Sequence, residues 1–481
     1  SGKKIKENKK VHLIGIGGSG MSALAVLFKE SGAEVTGTDA SASEELEAHL
    51  KKNNIPFEAT YDEKNIPKDV DLVIVGNNAP FSAEVNPETK HAMDSSCKIM
   101  SMPEALAELS KDKENIIVVG SSGKSSTTGL LAWSLTQAKK DPSYFIGALP
   151  IDLPNSSHLG EGSEFVIEGD EYTSSKTDNR SKFLHFDPKA VILVSAAHDH
   201  INVFPTLESY LKPYKELAAK IPKDGLFVYA LNGKNNEEIA KHVKCRKVSY
   251  SLSDESADYY AKNIKHDMES SFDLMHRQEG NENKVTTIKT KLLGNHNLEN
   301  IIGTGALLFE DKRVEPEAFA EAINSFHGIK NRIELLNKDS ALPVYQAFGS
   351  SYEKTKVFFD TLQLHFPKHR IVTVFEPHAF SWRNRKFLGW YKDIFDEVDE
   401  VIMLPAASYG KLAEDQLTAE EVWEEAKKYK NIHIAKNEKE GLQLIEKIVK
   451  EGDIVALVSS GLLLGLDKSI PKLLEKKFPT Q

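Results

Sequence analysis

Ile116-Ile117-Val118-Val119-Gly120-Ser121-Ser122-Gly123-Lys124-Ser125-Ser126-Thr127 begins as an apolar, β-branched run and turns abruptly into glycine, hydroxyl residues and one lysine. The run reads as a buried strand, and Gly120 to Thr127 as a tight loop that opens a helix. Backbone N–H groups of such a loop point at phosphate oxygens, the Lys124 ammonium reaches β- and γ-oxygens, and the Ser125 hydroxyl suits Mg²⁺. The predicted ligand is ATP, cradled by Gly120, Ser121, Ser122, Gly123, Lys124, Ser125 and Ser126. The two glycines are separated by only two residues, a shorter loop than the usual Walker spacing.

Outward from this loop the same alternation of short apolar runs and helical patterns continues in both directions. Before it come Val11 to Ile16, a helix from Ser19, Glu34 to Asp39, a helix from Ser43, and Asp71 to Gly76. The polar stretch Lys111 to Asn115 marks a first boundary, and the apolar stretch Gly129 to Ala138 reads as the helix after the loop. Phe165 to Asp170, Val191 to Ala197 and Leu226 to Leu231 read as further strands, and Arg246 to Leu293 as antiparallel strands beside them. A third start comes after His327-Gly328: strand Val344 to Phe348, a helix from about Glu353, strand Ile371 to Glu376, a helix near Phe387 to Phe395, and strands Val401 to Leu404 and Ile454 to Ser459. Such alternation predicts an α/β protein of βαβ units around parallel sheets. The expected domains are 1–112, Rossmann-like; 113–327, P-loop ATPase-like; and 328–481, Rossmann-like.

The bulk properties narrow the function. A chain of 481 residues has room for about three domains. With 61 Lys+Arg against 71 Asp+Glu the net charge is −10, so no general positive field is present to hold a nucleic acid. Hydrophobic residues make up 40% and charged residues 27%, and no apolar run approaches the roughly 20 residues that span a bilayer. The reading is a soluble protein without nucleic-acid or membrane partners. Cys97 and Cys245 lack the spacing of a disulfide framework or a zinc site. Ser1-Gly2 reads as an expression remnant, and with no signal-peptide core behind it the expected compartment is the cytoplasm. Oligomeric state has no signature.

Two further constellations carry chemistry. Gly15-Ile16-Gly17-Gly18-Ser19-Gly20, with Asp39 at the end of the next strand, has the form of a dinucleotide fingerprint. Its occupant could be a nicotinamide or flavin cofactor or another nucleotide diphosphate, and a plain glycine turn is the bland alternative. Downstream, Glu168-Gly169-Asp170-Glu171 ends one apolar strand and His198-Asp199-His200 another. Hard oxygen ligands and a histidine near an ATP loop suit Mg²⁺, with solvated strand-end charges as the alternative. In the third domain His378, with Arg383 and Arg385, is as well placed for the surface as for an anion, and the leucines of Gly461 to Leu466 read as packing for the last helix.

Taken together these motifs resemble the Mur ligase family, ATP-dependent amide-forming enzymes of peptidoglycan assembly, over nearly the whole chain. The segment Val11-His12-Leu13-Ile14-Gly15-Ile16-Gly17-Gly18-Ser19-Gly20-Met21-Ser22 resembles the start of the branch that acts on UDP-N-acetylmuramate. The resemblance implies that His12, Gly15, Gly17, Gly18, Ser19, Gly20, Met21, Ser22 and Asp39 bind that UDP-sugar, and that residues 1–112 form its domain. Gly294-Asn295-His296-Asn297-Leu298-Glu299-Asn300 and Gly328-Ile329-Lys330-Asn331-Arg332-Ile333-Glu334 also match. They imply Asn297 against adenine, Arg332 against nucleotide phosphate, and a C-terminal domain that closes over ATP and takes the amine. Ser125 and Glu168 would hold one Mg²⁺ and His200 a second, with Lys124, Glu168 and His200 as the catalytic set. The lactoyl carboxylate would be phosphorylated by ATP, and an amino group would then displace phosphate. The stretch Glu171-Tyr172-Thr173 to Arg180-Ser181-Lys182-Phe183, and less specifically Phe375-Glu376-Pro377, resembles members that attach an intact L-alanyl-γ-D-glutamyl-meso-diaminopimelate tripeptide in peptidoglycan recycling. It makes Arg180 a candidate substrate contact. Members that attach L-alanine alone are the alternative.

The chain departs from the family at three places. Ser122 stands where this branch usually has histidine. Ser195-Ala196-Ala197 replaces a stretch with Asn and Glu ahead of Asp199-His200. Gln346-Ala347-Phe348-Gly349-Ser350-Ser351-Tyr352 replaces a stretch with two acids and two histidines. These departures keep open a degenerate relative that binds UDP-sugar or ATP without turnover.

Overall fold

The structure, a computed structural model, describes residues 9–175, 177–406 and 415–480. It divides into two compact units. One takes in the chain up to residue 264 with 272–290 and 295–326, the other 265–271, 291–294 and the chain from 327.

Among the described residues the first unit holds two large sheets and a two-stranded hairpin. In spatial order the first runs Phe57–Glu58, Glu34–Thr38, Lys10–Ile14, Leu72–Val75 and Lys98–Ser101, and every neighbouring pair is parallel. Its central strand carries Val11, His12, Leu13 and Ile14 fully buried, as a strand covered on both faces requires. Two of the helices between these strands start at side-chain caps. Ser43 accepts the Leu46 amide before Glu44–Lys52, and Asn86 accepts the Glu88 and Thr89 amides before Pro87–Asp94.

The second sheet is centred on Glu114–Val119, flanked in parallel by Pro188–Leu193 on one side and Glu164–Glu168 on the other. Leu226–Ala230 and Arg246–Tyr250 extend the parallel array beyond Pro188–Leu193, and Ser143–Phe145 extends it beyond Glu164–Glu168. The expected antiparallel run from Arg246 is therefore corrected at its first two strands: Arg246–Tyr250 continues the parallel array, and Tyr259–Lys265 pairs with it in parallel. A hairpin follows from Ser270–Gln278 to Asn281–Thr290, turning at Glu279-Gly280, both at positive φ as a two-residue hairpin turn demands. The helix after the phosphate-type loop begins at Lys124, where the loop motif puts it, five residues ahead of its apolar stretch. Its first turn is polar yet buried, so hydrophobic periodicity had nothing to register there.

The third sheet, in the second unit, is ordered Glu334–Leu335, Val344–Ala347, Ile454–Val458, Ile371–Phe375, Glu400–Met403 and Ile432–Ile434, parallel except at its first pair. The α/β class with several parallel sheets is as expected from the alternation. The helix expected near Phe387 to Phe395 is not formed. A 3₁₀ stretch, Arg385–Lys392, stands there, broken at Phe387 and anchored by rings: Tyr391 donates to the Trp382 carbonyl at 2.6 Å, and Phe387 packs 4.7 Å from Trp390. Among the described residues no helix is long and apolar enough to cross a membrane.

The helix Ser19–Glu30, which comes after the first glycine loop, is fastened to the edge of the second sheet. Ser157 Oγ donates to the Ala23 carbonyl at 2.7 Å, and the Leu159 amide donates to Glu30 at 2.6 Å. Between them His158 stands 3.2 Å from Glu30 and 3.0 Å from Asp141. The hydrogen bond to Glu30 is the main cause that raises the His158 imidazole to about 9, against the opposing effect of burial. A pKa above the unfolded value of 6.5 means that this fastening is complete below pH 6.5 and is lost as pH rises through 9. Melting scans from pH 6 to pH 10 are expected to show a fall over that interval that His158→Gln removes; a fall of equal size in the variant would contradict it.

Candidate nucleotide and substrate site

Glu114–Val119 delivers Gly120 to the carboxyl end of the second sheet, where the loop turns back into a helix. Gly120 has φ +142°, and a side chain there would lie 2.9 Å from the Ser195 backbone. The Ser121 amide donates to the Ser195 carbonyl at 2.7 Å, so the neighbouring strand's extension holds the loop in place. Gly123, left-handed at φ 77°, is the N-cap of Lys124–Gln137 and makes no side-chain cap. The first-turn amides of that helix have no intrahelical acceptor and face the loop, which is the geometry that receives phosphate oxygens.

The acids at the end of Glu164–Glu168 meet this helix. Ser125 Oγ donates to Glu168 Oε1, and the Gly147 amide donates to Oε2. Lys124 Nζ donates to Glu171 Oε2 at 2.7 Å, and Glu171 is fully buried. Glu171 Oε1 lies 3.0 Å from His200 Nε2 without hydrogen-bond alignment. The other ring nitrogen of His200 faces the Tyr172 hydroxyl at 2.6 Å, with the two rings 4.2 Å apart. Burial would push the Asp170 carboxyl up, but Lys182 at 2.9 Å and the Tyr172 amide outweigh it and hold it below the usual range.

A serine hydroxyl and a carboxylate side by side at the loop fit one magnesium ion whose other ligands are phosphate and water. Among the described residues no group of three or more His, Cys, Asp or Glu is disposed to hold a metal on its own. His200 has a partner at each nitrogen, so a cation can reach its ring only by displacing Tyr172 or Glu171.

In the first sheet the glycine loop is shaped by its neighbours. Gly15, at φ +81°, passes so close to Phe81 that a side chain would be 2.5 Å from the ring. Asp39 Oδ2 accepts the Gly17 amide at 2.7 Å, and Oδ1 accepts both the amide and the hydroxyl of Ser41. Asp39 thus props the loop, and any ligand contact it makes is in addition to that. Gly18 caps Ser19–Glu30; Met21 and Ser22 are buried in its first turn, and Gly20 faces Met102 and Phe145. His12 does not reach the loop surface. It is fully buried, with Nδ1 2.7 Å from Thr36 Oγ1 and Nε2 2.6 Å from Glu88 Oε1, so its side chain can serve a ligand only by holding the strand.

The remaining candidates are dispersed. Arg180 lies on the hairpin of Thr173–Ser175 and Asp178–Ser181, exposed and gripped by Asp178 through Nε and Nη2. Asn297 is in the first turn of Asn295–Glu310, and Arg332 lies in the second unit. Asn300, one turn beyond Asn297, was not singled out by sequence; its buried amide would be 3.3 Å from a Cβ at Gly123, and its Nδ2 makes no hydrogen bond. The altered stretch in the second unit does structural work. Gln346 and Ala347 end a strand, Gly349 passes so close to Val458 that any side chain would collide with it, and Ser351 caps Tyr352–His365. Phe348 is 46% exposed there. Glu376, buried at the next strand end, accepts Ser459 Oγ at 2.6 Å, with His378 at 3.8 Å; Arg385 pairs with Glu421. Of the leucines after Gly461, Leu463 and Leu466 are buried, whereas Leu462 is 84% exposed.

Comparison with known proteins places these features in a family. The model of the Mur ligase middle domain matches residues 118–308, and that of the Mur ligase family, catalytic domain, matches residues 10–114. The UDP-N-acetylmuramate–L-alanine ligase of Dictyoglomus turgidum is 29% identical over 462 residues, covering 94% of each chain. The UDP-N-acetylmuramate–L-alanyl-γ-D-glutamyl-meso-2,6-diaminoheptanedioate ligase of Escherichia coli is 29% identical over 480 residues, 97% of this chain and 99% of that one. In fold, the UDP-N-acetylmuramate–alanine ligase of Thermotoga maritima matches with a TM-score of 0.72 at 22% identity, over 97% of this chain and 99% of the other. A murein peptide ligase of Psychrobacter arcticus matches with a TM-score of 0.63 at 22% identity, over 98% and 100%.

Proposed function

We propose, from the premise that this chain belongs to the Mur ligase family of ATP-dependent, ADP-forming ligases, that it joins UDP-N-acetylmuramate to the tripeptide L-alanyl-γ-D-glutamyl-meso-diaminopimelate in the cytoplasm. The observation that carries the choice of amine is the segment from Glu168 to Phe183. Its Glu-Gly-Asp-Glu-Tyr opening supplies the acids beside the ATP loop, and its Arg-Ser-Lys-Phe end closes back on them through Lys182 and Asp170. The Dictyoglomus relative, an L-alanine ligase of equal identity, supports a second reading in which L-alanine is the amine.

In this reading residues 1–112 bind the UDP-sugar, with the Gly15 to Gly20 loop at its diphosphate and Asp39 supporting the loop. Residues 113–327 bind ATP, and residues 328–481 take the amine. Ser125 and Glu168 would hold a magnesium ion, with His200 at a second position once Tyr172 or Glu171 gives way, and the ion would neutralise phosphate charge. Lys124 faces the γ-phosphate, and the loop amides fix the β-phosphate, so the carboxylate of the acceptor approaches an electrophile stripped of much of its repulsion. Asn297 and Arg332 orient the nucleotide. Arg180, exposed on its hairpin, is the cation assigned to the peptide's carboxylates and would exchange Asp178 for them.

The test is incubation with ATP, Mg²⁺ and UDP-N-acetylmuramate plus either L-alanine or the tripeptide, with products read by mass spectrometry. Tripeptide-dependent amide and ADP are expected. Product with alanine alone would replace the tripeptide reading by the second one. No amide in either tube, with UDP-N-acetylmuramate still raising the melting temperature, would show a binding protein whose altered segment from Gln346 to Tyr352 has ended the chemistry.

A further inference from the structure

Glu171 has no part in the proposed phosphoryl transfer, yet it touches two residues that do. It is fully buried, and each of its oxygens faces a cation-capable group: Oε2 takes Lys124 Nζ at 2.7 Å, and Oε1 lies 3.0 Å from His200 Nε2 outside hydrogen-bond alignment. A buried carboxylate is tolerated only beside a compensating cation, and here that cation is the loop lysine itself. The ammonium that the loop would offer to phosphate is therefore already committed. Tyr172, the next residue, fixes the outer face of the His200 ring, so the histidine cannot swing away from the carboxylate without breaking a 2.6 Å contact. Glu168 is held differently, by Ser125 and the Gly147 amide.

We infer that Glu171 is a positioning residue of the ATP site: it holds Lys124 in the nucleotide-free enzyme, and ATP binds only by drawing the ammonium from Glu171 to phosphate. The inference rests on the assignment of ATP to the Lys124 loop. It follows that Glu171 lowers the apparent affinity for nucleotide by the fraction of molecules in which Lys124 is held, and that removing its charge raises that affinity. A purely structural role has the opposite sign, because loosening a buried residue beside the loop weakens binding.

The experiment measures binding of the non-hydrolysable analogue AMP-PNP with Mg²⁺ by titration calorimetry to the wild-type chain, Glu171→Gln and Glu171→Asp. The isosteric Gln variant is expected to bind about fivefold more tightly. The Asp variant, whose shorter carboxylate is withdrawn from Lys124, is expected to shift in the same direction by less, and it serves the test on its own if the Gln variant does not fold. Unchanged or weaker binding by a folded variant, beside a wild type that binds, overturns the inference and leaves the ATP assignment standing. Absence of binding by the wild type overturns both.

Discussion

Lys124→Met is expected to lower kcat/KM for ADP formation by about 10³-fold or more, the scale on which a single charge aimed at a transferring phosphoryl group acts. The size of the loss reflects the surroundings of the ammonium. Among the described residues the loop is flanked by the carboxylates Glu168, Asp170 and Glu171, and Lys182 is engaged by Asp170. Removing the ammonium also leaves Glu171 buried with only His200 beside it, so a loss of stability accompanies the loss of rate. The two are separated by measuring phosphate release on protein whose melting curve shows it fully folded at the assay temperature. Retention of more than about a tenth of the activity by folded Lys124→Met would remove Lys124 from the catalytic set.

The largest effect on stability is expected at Glu88. This residue is completely buried in the first unit, and its two oxygens meet four polar groups: His12 Nε2 at 2.6 Å, and as donors the Thr38 hydroxyl at 3.0 Å, the Asp62 amide at 3.3 Å and Asn65 Nδ2 at 3.2 Å. The network ties the central strand, the strand beside it and the Asp62 to Asn65 turn to one helix. Glu88→Ala removes the acceptor and leaves His12 without its partner in the interior, at a cost of about 3–5 kcal/mol. Glu88→Gln, which keeps the shape and one acceptor, should cost less than about half as much. Denaturant unfolding followed by circular dichroism measures both, and equal losses in the two variants would show that packing rather than the buried charge is responsible.

How far the sequence alone reaches is clear from particular residues. Strands such as Lys10–Ile14, Glu114–Val119 and Ile454–Val458 are legible because they are apolar runs covered on both faces, and the helices between them because Ser43 and similar residues announce their starts. The first turn of Lys124–Gln137 is legible from the loop motif and not from periodicity. Its hydroxyl residues are buried toward the loop, so the pattern that marks a helix begins only after them. The ring-anchored segment at Arg385–Lys392 fails for a related reason: tertiary contacts of Phe387, Trp390 and Tyr391 set its backbone, against a periodicity that suggests a helix. At the candidate site the loop itself can be read from spacing. The link from Lys124 through Glu171 to His200 cannot, because it depends on which strands become neighbours of Glu114–Val119 in the sheet. His12 shows the converse limit, since a residue inside a recognisable motif proves to be buried under its own strand.

The strand order of the third sheet bears on how the chain is made. Ile454–Val458 lies between Val344–Ala347 and Ile371–Phe375 and supplies the pairing partner of both, so these two earlier strands do not pair with each other. As the chain emerges from the ribosome, the first unit has most of its strands in hand before the third sheet begins. Ile371–Phe375 then waits for the common partner through roughly eighty residues of further synthesis and Val344–Ala347 through more than a hundred, a delay of several seconds or more at ordinary elongation rates. During that interval each presents an open hydrogen-bonding edge. A truncation before Ile454 would make the interval permanent, so loss of a short C-terminal piece should cost the second unit its central strand rather than an ornament at its end, and should turn a nascent chain into a client for chaperones.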